Sequence, residues 1–219
     1  MTALEEPVDR RAQMIAAAAT VLGREGYENT SMKEIALEAG VSSGLLHYYF
    51  GTKEELLAAV VRQLHEGMVA EWKAAMVGVG DPFERIASGL RQAAEKCQQR
   101  PEFFQLLFDM YAVGLKNQRI RDALQEMVEE MIGQITAEAD TVVGELPTPS
   151  PIAPGEIAMA TLGAIDGIAL MSLLTRQPAG GAYRALTALM LSYAALSYLA
   201  AGHELPIERL MALLEPAAS

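Results

Sequence analysis

The sequence predicts an all-α protein: a small N-terminal group of three helices followed by a larger helical region. Three observations carry this expectation. Ala, Leu and Met dominate a chain that is 51% hydrophobic but only 6% aromatic. That composition favours helix, because the β-branched and aromatic residues that suit strands are sparse. No extended alternating Val/Ile/Thr run lies between turn signals, so essentially no strand is expected. Apolar residues recur at helical spacing between capping and breaking residues. The 219 residues suffice to bury a substantial core, in one large domain or a small one fused to a larger one.

Residues 1–8 read as a loose tail. A helix is expected from about Asp9 to Glu25, with Met14, Ile15, Ala18, Ala19 and Leu22 on one stripe and Gly26 to end it. Ser31-Met-Lys-Glu34 has capping-box spacing and opens a short helix ending at Gly40. Ser42 caps a third short helix, through Tyr49. Thr52-Lys-Glu-Glu55 is a second capping box, opening a long helix through about Ala75. Asp81 and Pro82 form an N-cap and first helical position, and Arg100-Pro101 separates two further helices. Helices are expected over roughly 82–99, 101–114, 117–145, 156–176 and 181–201, and a last short one starts near Pro206. Residues 146–155, with four prolines, read as a linker. The domain boundary is expected after Lys53, giving 1–53 and 54–219.

Cys97 has no second cysteine to pair with and no neighbouring Cys or His at metal spacing, so a reduced thiol is expected. No metal and no cofactor are expected. The N-terminus lacks a basic region followed by an apolar run, so no secretory signal is expected and a cytoplasmic protein is.

Residues 31–50 hold the most informative pattern. Ala36, Ala39, Val41, Leu46 and Phe50 would let two short helices cross and pack, with Gly40 at the turn. Ser43, Gly44, Leu45, His47, Tyr48 and Tyr49 are left outside that core. Between Glu38 and Glu54 there is no acidic residue. An exposed helix face that is small, polar and aromatic, without acid, suits insertion into a DNA major groove.

The run from Thr30 to Leu56, with Glu38-Ala-Gly-Val-Ser42, His47-Tyr-Tyr-Phe50 and Thr52-Lys-Glu-Glu55 at fixed spacing, resembles the signature of the TetR family of transcriptional regulators. The preceding Gly26-Tyr27 fits as well. The motif covers about the first quarter of the chain; the rest resembles the family in layout only. The resemblance implies an N-terminal helix-turn-helix DNA-binding domain and a larger helical ligand-binding and dimerisation domain. Carried onto matching positions, it implies phosphate contacts from Thr30, Lys33, Tyr49 and Lys53. Lys53 would act with the exposed N–H groups of its helix. Base-edge contacts are implied for Ser43, Gly44 and Leu45, with His47 and Tyr48 on the same face, and Arg10 and Arg11 are placed near the backbone. Leu45 and His47 depart from the family's usual Thr and Tyr. Leu45 can meet a thymine methyl but cannot donate a hydrogen bond, so the operator sequence does not transfer from relatives. The net charge of −11 is unusual for a phosphate-binding protein, but the acid lies outside the 39–53 window.

Downstream, Met68, Trp72, Phe103, Phe104, Leu107, Phe108, Tyr111, Met127 and Met131 are large flexible or aromatic residues that can be core or cavity lining. The resemblance implies a cavity for a small hydrophobic or amphipathic effector among these helices, with Asp166 near it or near the dimer interface. Residues 157–174 and 182–201 are apolar nearly all round. Asp166 and Arg184, and the lack of a basic flanking cluster, argue against a membrane hairpin; a homodimer interface made as a four-helix bundle is expected instead. The resulting expectation is a repressor that binds a double-stranded, near-palindromic operator as a dimer and is released by its effector. The lever would be the helix starting at Lys53, pushed by the 101–114 segment. The alternative is an all-helical small-molecule binding protein without DNA function. An enzyme is disfavoured: there is no Walker loop, no Gly-x-Ser-x-Gly and no metalloprotease His pair.

Overall fold

A computed structural model describes residues 9–215; the expected tail at 1–8 lies outside them. The described residues form ten α-helices and no strand. They are α1 (Arg10–Asn29), α2 (Met32–Glu38), α3 (Ser43–Phe50), α4 (Lys53–Met76), α5 (Pro82–Gln99), α6 (Pro101–Gly114), α7 (Gln118–Gly144), α8 (Pro154–Thr175), α9 (Gly180–Ala200) and α10 (Ile207–Ala212).

Helix boundaries follow local chemistry. Asp9 caps α1, accepting the N–H groups of Arg11 and Ala12 at 3.0 and 3.2 Å. Gly26 breaks α1 at φ 72°, and one irregular turn carries the chain on to Asn29. The capping box at α2 is complete: Glu34 N–H donates to Ser31 Oγ at 3.2 Å and Ser31 N–H donates to Glu34 Oε2 at 2.8 Å. Asp81 caps α5 ahead of Pro82. α8 starts two residues earlier than the pattern indicates, because Pro154 takes the first helical position and Glu156 accepts the Ala153 N–H at 3.0 Å.

The chain divides into two compact units. One takes the chain up to Gly67 together with Glu102–Met127; the other takes Met68–Pro101 together with the chain from Val128. The division falls inside α4 and α7 rather than at residue 53. In the first unit, Met14, Ala18, Leu22, Ile35, Leu46 and Phe50 are buried where α1, α2 and α3 pack. In the second, α5 packs on α9 and α8, and Phe83, Leu191 and Ala194 form a buried cluster covered by Leu146, Tyr198 and Leu210.

The proline-rich 146–155 linker is tied to α9. Thr148 N–H donates to Ser197 Oγ at 3.0 Å, and Ser150 Oγ is hydrogen-bonded to the Tyr193 hydroxyl. Cys97 is buried, and that burial pushes its thiol pKa up, which suppresses thiolate reactivity.

Helix α8 is long and apolar enough to cross a membrane. Much of its surface is open in the single chain: Met159, Met171 and Leu174 are exposed, and Gly163 and Gly167 face open space. On α9, Leu189, Leu196 and Leu199 are exposed at helical spacing.

Gly40 adopts φ +65° at the α2–α3 turn with nothing near its Cβ position. Gly40→Ala therefore adds backbone strain without a clash. It is expected to lower unfolding free energy by about 1–2 kcal/mol, measured by urea denaturation.

Candidate nucleic-acid interface and ligand cavity

The α2–α3 pair is held from inside. Leu46 is fully buried and Phe50 nearly so. Gln13 of α1 donates to the Ala39 carbonyl at 3.0 Å, and the Arg11 guanidinium stands over the Phe50 ring, 5.5 Å from its centroid. Ser42 caps α3 by accepting the Leu45 N–H at 3.2 Å.

With those residues turned inward, the outer face of α3 presents Ser43, Gly44, His47 and Tyr48 to solvent, with Leu45 half-buried beside them. Tyr48 is 84% exposed and Tyr49 41%, an unusual outlay of aromatic surface that no neighbour within the chain covers. His47 Nδ1 lies 2.9 Å from the Gly51 carbonyl. A carbonyl only accepts, so Nδ1 carries a proton and Nε2 is the ring nitrogen left free to meet a partner.

Lys33 is exposed on α2. Lys53 is half-buried at the start of α4: its ammonium donates to the Tyr27 carbonyl and stands over the Tyr27 ring, 4.1 Å from the centroid. Burial pushes the Lys53 pKa down. The neighbouring Tyr27 hydroxyl donates to Glu54 Oε1 at 3.0 Å, and burial together with that carboxylate pushes the phenol up to about 12.

Two expectations about phosphate contacts need correction. Thr30 is 3% exposed, and its hydroxyl donates to the Gly26 carbonyl at 2.7 Å. It therefore holds the α1–α2 corner instead of offering a donor to DNA. The N–H groups at the start of α4 are also not all free: Thr52 Oγ1 accepts the Glu55 N–H at 3.2 Å, and the Glu54 carboxylate bonds its own backbone N–H, which lowers its pKa.

Residues 14–60 match the family model of bacterial regulatory proteins of the tetR family. Residues 14–60 are thus a TetR-family DNA-binding segment. TetR-family proteins are regulators, not enzymes. The chain is 36% identical over 119 residues to the HTH-type transcriptional regulator BetI of Rhizobium meliloti (strain 1021), covering 54% of this chain and 58% of that one. It is 28% identical over 175 residues to BetI of Agrobacterium fabrum, covering 80% and 82%.

Among solved structures, a TetR transcription regulator from Haloarcula marismortui matches with TM-score 0.73 at 22% identity, over 86% of this chain and 97% of that one. A regulator from Saccharomonospora viridis in complex with choline matches with TM-score 0.69 at 20% identity, over 82% and 94%. The multidrug binding protein EbrR complexed with ethidium matches with TM-score 0.65 at 28% identity, over 82% and 97%.

Within the second unit lies a cavity of about 330 Å³, at the lower end of the roughly 300–1,000 Å³ range of small-molecule sites. Its wall is almost wholly apolar, with Ile86 and Leu90 from α5, Ile135 and Val142 from α7, Ile157 from α8 and Met190 from α9. Trp72 lines it, and the indole lies so close over Gly89 that a Cβ there would stand 2.6 Å from Trp72 Cη2.

Of the ten residues expected at the ligand, Trp72 alone is in this lining. Met68, Met131 and Asp166 belong to the same unit but do not line the cavity. Phe103, Phe104, Leu107, Phe108, Tyr111 and Met127 belong to the first unit. There Phe104, Leu107 and Met127 are buried, and the rings of Phe103, Phe104, Phe108 and Tyr111 follow one another at 5.2–6.3 Å. Aromatic and Met side chains fill a core and line a cavity by the same chemistry, so their type alone did not place them.

Asp166 is half-buried near Tyr183, whose phenol donates to the Ile165 carbonyl at 3.1 Å. The Tyr183 pKa is raised first by burial and then by Cys97 and Asp166. Arg85 and Glu138, which sequence reasoning did not single out, form an ion pair in the cavity wall. Their signal in the sequence is weak: each is one charge among several on its helix.

Proposed function

We propose that this chain is a repressor that binds a near-palindromic operator as a homodimer and is released by a small hydrophobic or amphipathic effector. The observation that carries it is the outer face of α3: exposed, free of acid, and built on a capped helix pair braced by α1. In a dimer, two such helices would enter successive major-groove faces, about 34 Å apart. Ser43, Gly44, Leu45 and Tyr48 would approach base edges, while Lys33, Tyr49 and Lys53 would meet phosphates.

The open apolar faces of α8 and α9 support a dimer in which each pair meets its copy as a four-helix bundle. This also accounts for a long apolar α8 without a membrane, in a protein of the cytoplasm. Helix α4 carries Lys53 in one unit and Trp72 in the cavity wall of the other, so it is a covalent route between operator and effector. The effector can shift operator affinity only by its differential affinity for the two conformers.

Selection from a random duplex library tests this, with Tyr49→Ala/Lys53→Ala in parallel. An inverted repeat enriched by wild type and not by the variant is expected. No enrichment, from protein shown to be folded and dimeric, would favour an all-helical small-molecule binding protein without DNA function.

A further inference from the structure

The cavity wall contains three ionised side chains, Arg85, Glu138 and Glu156, and all three are already engaged within the chain. Arg85 Nε donates to Glu138 Oε2 at 2.8 Å, Nη2 donates to the same oxygen, and Nη1 donates to the Val79 carbonyl. The two side chains are 18% and 24% exposed, so each neutralises the other where water screens little. Glu156 sits in the first turn of α8 and accepts the Ala153 N–H, where the helix's positive end offsets its charge.

A cation entering this space would need an unpaired carboxylate or open aromatic faces. Glu138 is neutralised by Arg85 and Glu156 is held at the α8 N-terminus, and the lining has two aromatic side chains, Tyr193 and a Trp72 pressed against Gly89, too few to form an aromatic cage. An anion would need a free donor cation, and Arg85 is occupied. Trp72 Nε1 has no hydrogen-bond partner, but it is buried from the cavity as well as from solvent, so the indole offers a ligand apolar ring surface and no donor.

We propose that this cavity takes a neutral, largely apolar molecule, and discriminates against organic cations of the kind held by the choline- and ethidium-bound neighbours. The inference rests on the cavity being the effector site of the repressor proposed above.

Trp72 is the only tryptophan of the chain and therefore reports occupancy directly. The full-length protein is titrated with Prodan, a neutral naphthyl ketone, following quenching of Trp72 emission. Choline and the trimethylammonium analogue of Prodan then compete. Prodan is expected to saturate, and both cations to bind weaker by about tenfold or more. Gly89→Ala, which pushes the indole rim into the cavity, weakens Prodan by on the order of tenfold. Arg85→Gln leaves Glu138 unpaired and brings the cationic analogue in more tightly than in wild type; Arg85→Gln/Glu138→Gln removes that gain.

Cations binding wild type as tightly as Prodan would overturn the proposal. So would folded Arg85→Gln protein with no gain for the cation. Operator affinity is measured on the same samples. Prodan saturating Trp72 without changing operator affinity leaves the neutral cavity standing and sinks the effector role. A cation that saturates the cavity and releases operator does the reverse.

Discussion

Leu189→Glu/Leu196→Glu is expected to yield a folded monomer that no longer holds its operator. The two leucines are 69% and 62% exposed in the single chain, so within that chain the changes fall in the ±0.5 kcal/mol range typical of surface positions. In a four-helix interface the same changes bring four carboxylates into one apolar contact, at a cost of roughly several kcal/mol for each that stays unpaired. Operator binding then falls with the dimer. A lone subunit grips one half-site and loses the effective concentration of the second, worth on the order of 10²–10⁴ in affinity. Light scattering gives the molar mass, circular dichroism the helix content, and anisotropy of the labelled selected duplex the affinity. A dimer with unchanged operator affinity would place the interface away from α8 and α9.

The same two helices show how far the sequence could be read. Their all-round apolarity was plain, and the expectation against a membrane span rested on Asp166 and Arg184, which are local facts. The helix-turn-helix was legible almost to the residue: Ser31, Glu34, Ser42 and Gly40 act through neighbours three or four positions away. The burial of Thr30 was not. Its hydroxyl turns to the Gly26 carbonyl, a partner set by how Gly26 breaks the helix.

The cavity was least legible. Its wall depends on which helices pair, and aromatic residues at 103–111 read the same whether they close a core or line a space. The 146–155 linker was legible as a connection between helices, but its anchoring was not: its partners Ser197 and Tyr193 lie 49 and 43 residues away, beyond any local pattern.

Lys53→Met and Leu45→Thr are expected to change DNA binding in two different ways. Lys53 is the only Lys or Arg between residues 39 and 53, and the Tyr27 carbonyl and ring hold its ammonium in place. In the proposed operator complex a charge so fixed would act on phosphate, which is the same in every sequence. Lys53→Met should therefore weaken all duplexes by similar factors. It should also lower the slope of log affinity against log salt by about one per subunit, about two per dimer. Losing the bond to Tyr27 costs about 1 kcal/mol of stability as well, which urea denaturation reads separately, so the binding loss is taken at matched folded fraction.

Leu45 sits half-buried on the outer face of α3 with only methyl groups to offer. Leu45→Thr supplies a donor and acceptor where there was neither, which should re-rank bases in a repeated library selection by about 1–3 kcal/mol at the affected position. The salt slope should stay as in wild type, since no charge is lost. If Lys53→Met re-ranked the bases and kept the slope, Lys53 would be reading sequence, and the division between α3 as reader and the start of α4 as phosphate anchor would fail.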